Sequence, residues 1–145
     1  MSEGIPYLLF VCVENSCRSQ MAEGFAWELG RGWIEPSSAG LIPAGVHPRA
    51  IAVMKEIGID ISRQHSKSVD EFLLRQMDIV ITLCNHAQEA CPWTPPHIQQ
   101  LHWPVKDPVG TRGAEEHIMN EFRRARDEIR EKIETFLLEM RNARF

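Results

Sequence analysis

YLLFVCVENSCRSQMAEG, running from Tyr7 to Gly24, is the stretch on which the fold turns. Tyr7 to Val11 is a short unbroken apolar run, the pattern of a strand covered on both faces. Met21, Ala22, Phe25 and Leu29 then recur at helical spacing, and only five residues separate Cys12 from Arg18. A strand therefore passes into a helix through a tight loop. Asp78 to Leu83 (DIVITL) repeats the apolar run, and weaker strand patterns cover Ile34–Ala39 and Ile98–Trp103. Ile51, Met54 and Ile57 predict a helix that Gly58 stops and whose first turn holds Pro48. Ile118, Phe122, Ala125, Ile129, Ile133, Phe136 and Met140 predict a long amphipathic helix, with its Arg and Glu residues, such as Glu128, and Lys132 forming a solvated face. Strands alternating with helices in a chain this short imply an α/β fold: an open, doubly wound, four-stranded parallel sheet flanked by helices. Such sheets bind ligands beyond the carboxyl ends of their strands, where the strand order switches.

The 145 residues are 43% apolar and carry a formal charge of −4. A chain of that length buries enough surface to need no disulfide or structural metal. No repeat, low-complexity tract or linker divides it, so residues 1–145 read as one domain. The acidic balance argues against general affinity for nucleic acid or anionic membrane, which makes any anion site a local one. Tyr7–Val13 is too short to span a bilayer, and Glu3 stands where a signal peptide carries basic residues. The expected setting is the reducing cytoplasm, where four cysteines are unsuited to scaffolding. Nothing in the sequence demands more than a monomer.

The loop after the first strand has the dimensions of a phosphate site. A short loop ending at a helix N-terminus turns backbone N–H groups inward, and the helix dipole adds positive charge. Val13, Glu14, Asn15, Ser16, Cys17, Arg18 and Ser19 are accordingly the candidate oxyanion-binding residues. Arg18 supplies a bidentate clamp. The same field stabilises a thiolate at Cys12 and makes it a nucleophile, with Ser19 as a hydrogen-bond donor to it. Asn15 tolerates the left-handed backbone that a tight loop needs.

This segment resembles the phosphate loop of the low-molecular-weight protein tyrosine phosphatase superfamily. SSAG (37–40), MKEIGIDIS (54–62), TLC (82–84), CPWTPPH (91–97), HW (102–103), DP (107–108) and RARDEI (124–129) narrow the likeness to its thioredoxin-coupled arsenate reductases, over roughly the whole chain. The resemblance implies a three-thiol relay. Cys12 attacks arsenate, Cys84 attacks the Cys12 sulfur and expels arsenite, and Cys91 attacks Cys84 to leave a disulfide for thioredoxin. Asp107 matches the family's acidic residue and is expected to manage a proton.

Part of that relay is open to geometry. Cys84 follows its strand as Cys12 follows the first, so neighbouring strands about 4.8 Å apart would set both thiols on one edge. An intact helix would hold Cys84 and Cys91 about 10.5 Å apart along its axis. A disulfide needs Cα atoms within about 6.8 Å, so residues 85–90 are expected to be helical or partly ordered when reduced and to loop out on oxidation. Cys17 is expected to pack beneath the loop. Cys84, His86, Cys91 and His97 lack zinc-ligand spacing, and no metal or tightly bound cofactor is expected. His47, His65, His102 and His117 fit no catalytic pattern.

Two departures from the family pattern stand out. Glu14 replaces the usual Gly before the loop Asn and is expected to point outward. Relatives hold potassium near the loop; Asn15, Glu23 and Ser38 match its ligands, but Lys67 stands where an acid is expected, so its ammonium is expected to replace the ion. The competing readings are a phosphatase acting on aryl phosphates through a Cys12 phosphoenzyme, and a thiol redox sensor without turnover. VGTRG, after Pro108, lacks the aromatic walls of a phosphotyrosine site.

Overall fold

The computed structural model describes residues 4–84 and 96–144. Four parallel strands, β1 (Tyr7–Cys12), β2 (Glu35–Gly40), β3 (Ile79–Thr82) and β4 (Gln99–His102), form one sheet in the order β2-β1-β3-β4. Each lies within a residue or two of its predicted position. Leu8 aligns with Ile79 and Val11 with Thr82, while Tyr7 aligns with Glu35 across the other side of β1.

β1 is apolar throughout because it is central. Leu8 and Phe10 enter one core with Ile79 and Ile81 of β3; Leu9 and Val11 enter a second, on the opposite face, with Val80. Alternate side chains leave a strand on opposite faces, so burial of both faces requires the continuous run. The first core is closed by α1 (Arg18–Leu29), α2 (Pro48–Lys55) and the long α4 (Glu115–Arg144), through Met21, Phe25, Val53, Met54, Phe122 and Ile129. The second is closed by Leu74 and Met77, the former on α3 (Glu71–Arg75).

α3 is not among the predicted helices. Five residues are too few to show a helical period, and its local signal is the N-cap, where Asp70 Oδ1 accepts from the Leu73 N–H at 2.7 Å. The solvated face assigned to α4 also needs correction. Arg126 is buried, donating from Nη1 to Val53 O and to Glu56 Oε1, both at 2.8 Å, and Arg123 pairs with the same Glu56. These arginines tie α4 to the C-terminal end of α2, where the helix carbonyls favour cations. Glu128 pairs with Arg124 one turn away.

Because β2 lies to one side of β1 and β3 to the other, the chain reverses its winding between β1 and β3. The carboxyl ends of those two strands flank the crevice that such a reversal opens.

Candidate active site

Residues 13–17 cross the end of β1 and deliver the chain into α1. Their carbonyls face away from the crevice, each accepting a bond from the surrounding structure. Val13 O accepts from the Ile42 N–H at 2.8 Å; Glu14 O accepts from the Ala44 N–H at 3.0 Å and from Ser66 Oγ. Asn15 O accepts from Gln20 Nε2, Ser16 O from the His47 N–H and Cys17 O from the Met21 N–H. A loop whose carbonyls are all held outward presents its amides to the inside. Asn15 makes the turn possible with a left-handed φ of 48°.

Gly40, at the end of β2, is what lets this loop sit so close. A Cβ there would lie 2.6 Å from the Asn15 nitrogen and 2.8 Å from Val13 O. No other residue fits without displacing the loop backbone.

The result is a cleft of about 380 Å³ lined by Cys12, Val13, Glu14, Ser16, Cys17 and Arg18 on one side and by Asp107, Val109 and Gly110 on the other. α1 starts here without a capping side chain, so its first N–H groups and its dipole face the cleft. Asn15 and Ser19, grouped with the oxyanion-binding residues from sequence, lie behind this lining as braces. Asn15 Oδ1 accepts from the Lys67 N–H, and its Nδ2 donates to Ser19 Oγ at 2.8 Å. With its oxygen already accepting, the Ser19 hydroxyl is free to donate to Cys12 Sγ, 2.9 Å away. Glu14 is exposed and lies among the residues at the mouth of the cleft.

Arg18 is 6% exposed and firmly held. Its Nη1 donates to Val105 O at 2.9 Å and Leu83 O at 3.3 Å, and its Nη2 lies 3.4 Å from Asp107 Oδ2. The other Asp107 oxygen accepts from the Val109 N–H, so this residue both shapes the turn before α4 and faces the guanidinium.

Cys84 lies just beyond β3 and packs against Cys12 with Val13 alongside. Burial pushes its thiol up, the Cys12 sulfur adds to this, and the Arg18 guanidinium and the Val13 N–H oppose it. Cys17 is buried beneath the loop, and desolvation pushes its thiol far above the ordinary range. Cys12, Cys17 and Cys84 are free thiols. Cys91, His86 and the segment 85–90 lie outside the described residues.

Around the position proposed for a cation, Glu23 Oε1 accepts from Ser38 Oγ at 2.5 Å and Oε2 from Trp27 Nε1 at 3.1 Å. The half-buried Lys67 is anchored through its backbone, to Asn15 Oδ1 and to the Gly40 N–H. Three residues to which the sequence assigned no place in the site shape it. Gln20 bridges Asn15 O and His65 O; Ser66 holds Glu14 O; His47 holds Ser16 O and caps α2. Each acts through a backbone carbonyl, which leaves no pattern in spacing.

Known proteins are similar to this chain over most of its length. An arsenate reductase of Halalkalibacterium halodurans is 48% identical over 130 residues, covering 89% of this chain and 93% of its own. A solved arsenate reductase in the phosphate-binding state is 39% identical, with a TM-score of 0.78 over 94% of this chain and 99% of its own. A thioredoxin-dependent arsenate reductase of Corynebacterium glutamicum is 27% identical, with a TM-score of 0.66 over 93% of this chain and 65% of its own. The sequence pattern of the low molecular weight phosphotyrosine protein phosphatases spans residues 7–144, and the chain belongs to that family.

Proposed function

We propose that this protein reduces arsenate to arsenite through Cys12, Cys84 and Cys91, with thioredoxin reducing the disulfide that results. The observation that carries the reading is the contact of Cys12 with Cys84 beside the cleft that the loop and Arg18 line. A phosphatase needs the first thiol and the cleft but has no use for a second thiol against the first.

The steps follow from the surroundings of each group. Arsenate enters against the inward amides of residues 14–18, and Arg18 clamps two of its oxygens. Cys12, as thiolate with the Ser19 hydroxyl on it, attacks arsenic and a hydroxyl leaves as water, its proton supplied by Asp107. Cys84, once deprotonated, attacks the Cys12 sulfur; the S–S bond forms, the sulfur–arsenic bond breaks, and its electron pair leaves with arsenic as arsenite. Arsenic(V) is thereby reduced to arsenic(III) while two thiols are oxidised. Cys91 then attacks Cys84, freeing Cys12 and leaving the Cys84–Cys91 disulfide for thioredoxin.

The enzyme is proposed to act as a cytoplasmic monomer; among the described residues no helix is long and apolar enough to cross a membrane. Both Glu23 oxygens already have donors, which supports a site that works without potassium, with Lys67 at the position of the missing acid. Turnover should be equal in potassium and sodium at matched ionic strength; clear stimulation by potassium refutes this part.

The deciding experiment is arsenate-dependent NADPH consumption with thioredoxin and thioredoxin reductase, beside glutathione with glutaredoxin and glutathione reductase. Turnover with thioredoxin alone is expected. No turnover with either couple, together with hydrolysis of an aryl phosphate, would move the function to a phosphatase. Disulfide formation by oxidants with neither activity would leave a thiol sensor.

A further inference from the structure

His47 joins two structures that the cleft depends on. Its backbone N–H donates to Ser16 O at 2.9 Å, which holds the Ser16–Cys17 peptide with its carbonyl turned away from the cleft. Its side chain caps α2, with Nδ1 accepting from the Arg49 N–H at 3.0 Å. The ring rests against Phe122 of α4, centroids 5.0 Å apart.

A ring nitrogen accepts only through a lone pair, so the cap exists only while Nδ1 carries no proton. Ser, Thr, Asp and Asn, the common caps, do not titrate near neutrality; an imidazole does. We propose that His47 is a proton-sensitive positioning residue: protonation at Nδ1 sets donor against donor, releases the α2 cap, and loosens the tether on Ser16, so oxyanion affinity falls on acidification. The inference rests on the loop between β1 and α1 being the oxyanion cradle.

The charges around the ring set the window. Arg49, on the same helix and paired with Glu115 at the start of α4, opposes protonation; Asp107 in the β4–α4 connection and Glu14 in the loop favour it. Burial and Arg49 prevail, and the imidazole is held below its ordinary value. The neutral form is thus favoured in the capped state. That state is intact above about pH 6.5 and is progressively lost as the pH falls below it.

The test uses inorganic phosphate as the probe. Its Kd is measured from pH 5 to 8 for the wild type and for His47→Asn, which caps without titrating. The ratio of wild-type to variant Kd cancels the titration of phosphate and of every group the two proteins share. It should rise about fivefold from pH 7.5 to pH 5, the equivalent of losing one cap; a flat ratio overturns the proposal. In the wild-type protein alone, the Ser16, Cys17 and Arg49 amide resonances should move with the same midpoint as the His47 ring. A ring that titrates while the Ser16 and Cys17 amides stay still, or that does not titrate above pH 5, overturns it without any variant. Failure of phosphate to bind at every pH would defeat the cradle itself, and the amide titration would still judge the tether.

Discussion

The end of β1 and the end of β3 lie side by side on one edge of the sheet, each leading to a buried cysteine in contact with the other. Around Cys12 the chain has collected a hydroxyl at 2.9 Å, an uncapped helix N-terminus and a loop with every carbonyl tied outward. Around Cys84 burial dominates, and the thiol is pushed up despite Arg18. Equivalent positions in the sheet thus receive opposite treatment. The proposed relay needs the second thiol to stay quiet until a sulfur is in front of it, which the burial of Cys84 provides.

The most severe way to break the comparison is to remove each sulfur in turn. Cys12→Ser and Cys84→Ser should both lower thioredoxin-coupled arsenate turnover by at least about 10³-fold, because each deletes a nucleophile of the proposed relay. They should differ on an aryl phosphate, whose slow hydrolysis needs only the first thiol. Cys84→Ser should retain it and Cys12→Ser should lose it. Equal loss in both would mean that Cys84 belongs to the cleft and not to a separate step.

Arg18 touches both regions, since its guanidinium faces Asp107 and also holds the carbonyls of Leu83 and Val105. Lysine keeps the charge but loses the fork, leaving at least one buried carbonyl short of a donor. Arg18→Lys should raise the KM for arsenate about 100-fold and destabilise the protein by about 1–3 kcal/mol, as read by steady-state kinetics and denaturant unfolding. Gly40→Ala attacks the β1 side only. A methyl 2.6 Å from the Asn15 nitrogen must displace the loop, so phosphate affinity should fall about tenfold at a cost of about 1–3 kcal/mol. Cys84 alkylation in that variant should stay near the wild-type rate.

Much of the β1 region was legible in the sequence and less of what surrounds it. YLLFV fixes a central strand because burial on both faces forbids alternation, and the closely spaced Cys12 and Arg18 before a helical period leave room for little but a phosphate-sized turn. The placement of Cys84 followed from the same run in DIVITL. Spacing does not report who holds the loop: Gln20, Ser66 and His47 bind backbone carbonyls from three separate segments, and that pairing exists only after folding. Arg126 was misread for a related reason. A charged residue on an amphipathic helix is ordinarily solvated, and only the carbonyl of Val53 and the carboxylate of Glu56, brought across by packing, make its burial affordable.

The mildest prediction turns on pH and sharpens the comparison without changing a residue. Burial holds the Cys84 thiol above its ordinary value of 9.0, so its thiolate fraction near neutrality is small and rises about tenfold for each pH unit up to at least pH 9. Alkylation of Cys84 by iodoacetamide, followed by mass spectrometry of the reduced protein, should therefore climb steadily through pH 9 with no plateau. Cys17, pushed far up by desolvation and enclosed beneath the loop, should remain unlabelled over the same range. Bound phosphate adds negative charge at Arg18, the main group drawing Cys84 toward ionisation, and should slow its alkylation by a further two- to threefold. A plateau at or below pH 8 would show that Cys84 ionises readily despite its burial, and the contrast between the two strand ends would fail.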